Sequence, residues 1–248
     1  MIGKFITLEG IEGSGKSTSL KDITAILDER SIKYITTKEP GGGPLGSDLR
    51  SMLLNKDSKI SPEVELLLMM ADRKDHIDNL VIPNLKKGIW VLSDRYLDST
   101  YAYQGGGRKI DTSVIDRLVD ILKLPQPDLT FLFDLPPEAA LERAIQRSAL
   151  DRFESEPIDF HIRIRNAYIQ LAKNNKRRFK IIRVQVRDNN LEKAIRAMKK
   201  KLQREGIFKE MKQRRAYEKP SEKKARLIND STRRFKKMLR KRIEIQGY

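Results

Sequence analysis

The chain has 248 residues and a net charge of +17, long enough for one ordinary domain and a smaller appendage. It contains no cysteine, which excludes disulfides, thiolate zinc sites and cysteine nucleophiles. No run of about 18 apolar residues occurs and the opening MIGKFITLEG does not read as a signal peptide, so no membrane span is expected and a cytoplasmic setting is the default.

In chain order, five short apolar runs read as strands, at 4–9, 33–37, 89–93, 128–134 and 179–184. Most are continuously apolar, as in a sheet covered on both faces. Helical patterns lie between them. The first follows Lys16, with Leu20, Ile23 and Leu27 on one face; others cover 62–76, 113–122, 137–146 and 162–173. Alternating strand and helix predicts an α/β fold with a five-stranded parallel sheet flanked by helices. Ligands on such a sheet bind beyond the carboxyl ends of the strands.

The charge is unevenly spread. Residues 184–248 hold 22 Lys and Arg against 8 Asp and Glu, a net of +14, whereas 1–183 hold 29 against 26, a net of +3. This shift divides the chain at 183/184. In the basic part, 190–201 reads as a helix opened by Asn190 with a stripe of Leu191, Ile195 and Met198, and Pro220 precedes a final basic helix. Its apolar stripe is thin, as on a helix that lies against a partner.

Gly10, Ile11, Glu12, Gly13, Ser14, Gly15, Lys16 and Ser17 spell a full phosphate-binding loop, followed by Thr18. It comes after a strand and opens a helix, the context that supports the motif. Gly13 and Gly15 let backbone N–H groups close around phosphate oxygens, Lys16 offsets β/γ charge, and the Ser17 hydroxyl suits Mg²⁺.

Further segments follow in order: TKEPGGG (37–43), ADRKDH (71–76), SDRYLDSTYAYQGGGR (93–108) and PDLTFLFDLPPEAALERA (127–144). Together, from about 5 to 182, they resemble bacterial thymidylate kinase. The resemblance implies transfer of the ATP γ-phosphoryl to dTMP, with Mg²⁺ as cofactor and a homodimer formed through this region. The acceptor phosphate is already ionised, so no strong general base is required. His76 and His161 are accordingly read as structural or surface residues. Catalysis falls to cations that position and balance charge: Lys16, Arg95, and the lid arginines Arg147 and Arg152, with Arg143 on ATP. The alternative for the lid arginines is pairing with Glu142, Asp151 or Glu154.

The resemblance places Asp94 beside Ser17 at the metal and Arg73 on the acceptor phosphate. Glu12 would take the 3′-hydroxyl, and Gln104 the thymine edge, with Ser99 close by. Either Tyr103 or Tyr101 would lie against the deoxyribose. Two departures stand out: the family's usual arginine before EPGG is Lys38, and its usual phenylalanine against thymine is Met69. Lysine loses the bidentate fork and methionine loses the ring-on-ring stack.

The segment 184–226, above all RRAYEKPSEKKAR at 214–226, resembles a bacterial small-subunit ribosomal protein, short, basic and helical. That implies small-subunit rRNA as partner. Arg204, Lys212, Arg214, Arg215, Lys219, Lys223, Lys224 and Arg226 are the expected phosphate contacts, with Phe208 and Tyr217 as stacking candidates. Helix 190–201 would then serve both halves. Three readings compete: a dTMP kinase with an RNA-binding extension; a ribosomal RNA-binding protein with an inactive phosphate-binding domain, or an artificial fusion of two reading frames; and another nucleoside monophosphate kinase.

Overall fold

The computed structural model describes residues 3–147 and 150–183. The expected helix 190–201 and every expected RNA contact lie outside the described residues. Five strands, β1 (Phe5–Glu9), β2 (Tyr34–Lys38), β3 (Trp90–Asp94), β4 (Leu129–Asp134) and β5 (Phe179–Arg183), form one sheet in the order β2-β3-β1-β4-β5. Every pairing is parallel. All five residues of β1 are buried, as a central strand covered on both faces requires. The expected strand boundaries differ from these by a residue at most.

Eight helices surround the sheet among the described residues: α1 (Lys16–Asp28), α2 (Gly46–Leu54), α3 (Pro62–His76), α4 (Ile82–Lys86), α5 (Leu97–Thr100), α6 (Thr112–Leu122), α7 (Pro137–Arg147) and α8 (Ile158–Asn174). α3 opens as its sequence asks. Ser61 accepts from the Val64 N–H, Pro62 takes a first-turn position, and Glu63 and Glu65 sit at the positive end of the dipole. α8 begins four residues before the expected 162, and the buried Phe160 extends its apolar face by one turn.

Two π-helical stretches, Ile77–Val81 and Tyr101–Gly107, join α3 to α4 and extend α5. The first precedes Pro83, which has no N–H to continue the i→i−4 ladder, so the backbone rewidens there. The second turns Tyr103 and Gln104 inward together; both are buried. Two apolar clusters of the core stand out among the described residues. One gathers Ile11, Tyr103, Leu132, Phe160, Ile164 and Tyr168; the other Phe5, Leu66, Met70, Val91, Tyr96 and Ile115. His76 and His161 are both buried, at 0% and 1% exposure, so the structural alternative holds for them and the surface alternative does not.

Candidate active site

The β1–α1 loop sits at the carboxyl end of the central strand, where the sheet order reverses. Gly10, Gly13 and Gly15 all have positive φ, of 137°, 70° and 93°. At Gly13 a Cβ would stand 2.3 Å from the Ala140 carbonyl oxygen, so α7 closes on the loop only because the side chain is missing. Gly15 opens α1 from the left-handed region.

Lys16 is buried, and its Nζ donates to the carbonyls of Gly10 and Ile11, both at 2.9 Å. Burial and the neighbouring Arg95 push its pKa down to about 8, against the pull of Asp94, Glu12 and Glu9. Ser17 donates to Asp94 Oδ2 at 3.1 Å, so the two expected metal residues meet at the end of β3. Ile11 packs into the core, and Ser14 Oγ is buried without a hydrogen-bond partner.

Arg95 follows β3 with φ 73°, a left-handed conformation that costs a non-glycine residue about 1–3 kcal/mol. Its guanidinium is held on every side. One terminal nitrogen donates to Gly10 O (2.9 Å), Tyr168 Oη (3.2 Å) and Ser99 Oγ (3.3 Å); the other to Glu12 Oε1 (2.6 Å) and Tyr103 Oη (3.0 Å). Burial opposes ionisation of Glu12, but Arg95 and Lys16 outweigh it and hold the carboxyl below its ordinary range. Tyr103 Oη donates to Glu12 at 2.6 Å.

Beneath this cluster lies Glu9, an unexpected participant. Its Oε1 accepts from Tyr96 N at 2.9 Å, and its Oε2 from Ser99 Oγ at 2.6 Å and Tyr168 Oη at 3.0 Å. Burial and then Asp98 push its pKa up to about 7.

These elements border one cavity of about 640 Å³, the size of a small-molecule site. Its wall includes Glu12, Gly13, Gly15, Lys16, Ser17, Thr18, Asp94 and Arg95 from the phosphate end. Lys38, Met69, Arg73, Tyr103 and Gln104 line the remainder, together with Arg143. Of the two candidate tyrosines, Tyr103 lines the cavity, whereas the Tyr101 hydroxyl donates to Asp116.

Three expected site residues sit differently. Ser99 is not on the cavity wall, because its hydroxyl is spent on Glu9 and Tyr168. Arg152 does not line the cavity either; it donates to the Leu53 carbonyl at 2.8 Å and pairs with Glu65 at 2.8 Å. Neither Arg152's expected partners nor a phosphate position holds it in this arrangement. Arg73 reaches the wall, yet its side chain is 2% exposed and its guanidinium is already bonded to Glu39, Thr100 and the Tyr96 carbonyl. Arg143 donates to Gly13 O at 3.2 Å, and burial lowers its pKa. The Arg147 side chain lies outside the described residues.

A family model for thymidylate kinase matches residues 8–195. The chain belongs to the thymidylate kinase family. The thymidylate kinase of Carboxydothermus hydrogenoformans is 48% identical over 183 residues, covering 73% of this chain and 89% of that one. That of Cupriavidus necator is 48% identical over 185 residues, covering 73% and 90%. The crystal structure of the Ehrlichia chaffeensis thymidylate kinase superimposes with a TM-score of 0.60 at 33% identity, over 74% of this chain and 92% of that chain. A second family model, ribosomal protein S21, matches 183–236. It overlaps the thymidylate kinase match at 183–195. No described helix is long and apolar enough to cross a membrane.

Proposed function

We propose that this thymidylate kinase family member moves the γ-phosphoryl of ATP to the 5′-phosphate of dTMP, giving dTDP. The observation that carries the reading is a single cavity with two ends. The phosphate-binding loop and Lys16 line one, and Met69, Tyr103 and Gln104 line the other, where a base and sugar would lie.

ATP's phosphates take the loop N–H groups and Lys16, whose two present acceptors are backbone carbonyls that phosphate oxygens can replace. Arg143, on the helix that closes over Gly13, stands next to the transferring group. Arg95 meets the acceptor phosphate from the opposite side, its direction fixed by the carbonyl and hydroxyls around it. Glu12, kept ionised, accepts the sugar 3′-hydroxyl, and the Tyr103 ring fills the space a 2′-hydroxyl would need. Met69 gives the base an apolar, polarisable face.

Ser17 and Asp94 are hard oxygen donors a hydrogen bond apart at the γ end, and such a pair fits Mg²⁺ held jointly with phosphate oxygens and water. When bound, Mg²⁺ neutralises charge on the β/γ oxygens.

In this reading residues 1–183 form the kinase part and 184–248 bind small-subunit rRNA in the cytoplasm. The ribosomal-protein match and the net charge of +14 support the second role. The overlap at 183–195 supports a segment used by both parts, and the kinase part pairs as a homodimer.

The test is dTDP formation by the full chain from ATP and dTMP. Lys16→Ala should lose at least about 100-fold in kcat, the scale of one transition-state donor. A variant within a few-fold of the parent, by contrast, would place the chemistry elsewhere.

A further inference from the structure

Glu65 stands in the first turn of α3, where a sequence reading places an ordinary dipole-matching acid, yet it is 1% exposed. Its carboxylate collects three donor side chains from two distant segments. Gln104 Nε2 donates at 2.8 Å, Arg108 Nε at 3.1 Å and Arg152 pairs at 2.8 Å. An ionised carboxylate only accepts hydrogen bonds, so Gln104 can meet it with its NH₂ end alone. The amide is thereby prevented from turning over. Its Oε1 makes no hydrogen bond among the described residues, while Gln104 lines the cavity beside Met69 and Tyr103.

The surrounding groups hold Glu65 still. Arg108 also pairs with Glu156 and lies 4.7 Å from the Phe160 ring centre. Arg152 lies 4.6 Å from that of Phe153 and donates to the Leu53 carbonyl. Neither guanidinium can swing aside to let a reversed amide form.

From this geometry we propose that Glu65 is a positioning residue that fixes the Gln104 amide with its oxygen toward the base, so that the site selects a pyrimidine whose ring N3 donates a hydrogen bond. The proposal rests on the nucleotide reading given above. Thymine and uracil carry N3–H. Cytosine presents a lone pair there, and acceptor would face acceptor with both groups desolvated. Selection against cytosine thus comes from a residue that never touches the base.

The experiment measures kcat and KM for dTMP, dUMP and dCMP with the full chain and two variants. Glu65→Gln can offer Gln104 either end of its own amide. Its dTMP-to-dCMP ratio of kcat/KM should fall at least about tenfold, while the dTMP-to-dUMP ratio stays within about twofold. Glu65→Asp keeps the charge and the acceptor-only character, so it should retain discrimination against dCMP even if turnover drops. A folded Glu65→Gln that keeps the parental dTMP-to-dCMP ratio, or loses all three substrates in equal proportion, overturns the proposal. Should that variant fail to fold, loss of discrimination by Glu65→Asp, or parental turnover of dCMP equal to dTMP, overturns it instead. A parent that phosphorylates dCMP but neither of the other two refutes the dTMP reading itself.

Discussion

Replacing Glu9 by glutamine should remove a specific part of the pH dependence of stability. Glu9 is fully buried, and burial followed by Asp98 raises its pKa from 4.5 to about 7. Attraction to Arg95 and the bonds from Ser99 and Tyr168 pull the other way without cancelling the rise. The folded chain therefore holds a proton that the unfolded chain releases between about pH 4.5 and 7. Stability from this group is greatest below pH 4.5, falls as pH rises, and levels off above 7. Integrating those two pKa values from pH 5 to 8 gives a loss on the order of 2–3 kcal/mol. Asp72, raised to about 6 by burial and then Glu39, acts in the same direction, so the quantity to follow is the difference between parent and Glu9→Gln. Urea unfolding followed by Trp90, the single tryptophan and a β3 residue, reports on the sheet itself. With a slope of about 2–3 kcal/mol per M, the midpoint difference should change by about 1 M between pH 5 and 8. A difference that does not move with pH would refute the reasoning, because it would mean Glu9 titrates alike in both states.

Two other outcomes follow from the site and the tail. Met69→Phe should lower the dTMP KM by about 0.5–1.5 kcal/mol in binding terms, the worth of an aromatic pair; steady-state kinetics read it, and an unchanged KM would assign Met69 to the core alone. RNA binding by the full chain, measured by titration at several salt concentrations, should show a log–log slope of roughly −4 to −5 if about six cations meet phosphates. Removing 207–248 should abolish that binding and spare kinase activity, whereas removing 184–248, which cuts into the thymidylate kinase match at 8–195, should also cost solubility. Equal behaviour of the two truncations would rule out a shared helix at 190–201.

The parallel sheet was legible because buried strands are continuous apolar runs and the phosphate loop is a contiguous pattern with its own strand and helix. Glu12, Ser17 and Asp94 lie in motifs at strand ends, so the sequence could bring them together on one cavity wall. Glu9 and Glu65 were not legible in this way. Each carboxylate looks like an ordinary polar residue at an element's edge, and its importance comes from partners such as Tyr168 and Arg152, far away in the chain. The position of Arg152 against α3 was hidden for the same reason: a lid arginine near phosphate and one bonded to α3 have the same local sequence. The π-helical turn at Tyr101–Gly107 gives no periodic signal, though it is what brings Tyr103 and Gln104 inward.

The central claim is the identity of the acceptor, and a coupled assay of the full chain with ATP against dTMP, dUMP, UMP and AMP tests it most directly. dTMP should be the best substrate, with dUMP weaker by about 1 kcal/mol, the worth of one buried methyl group, and UMP rejected at the Tyr103 ring. Turnover of UMP or AMP equal to that of dTMP would contradict the account.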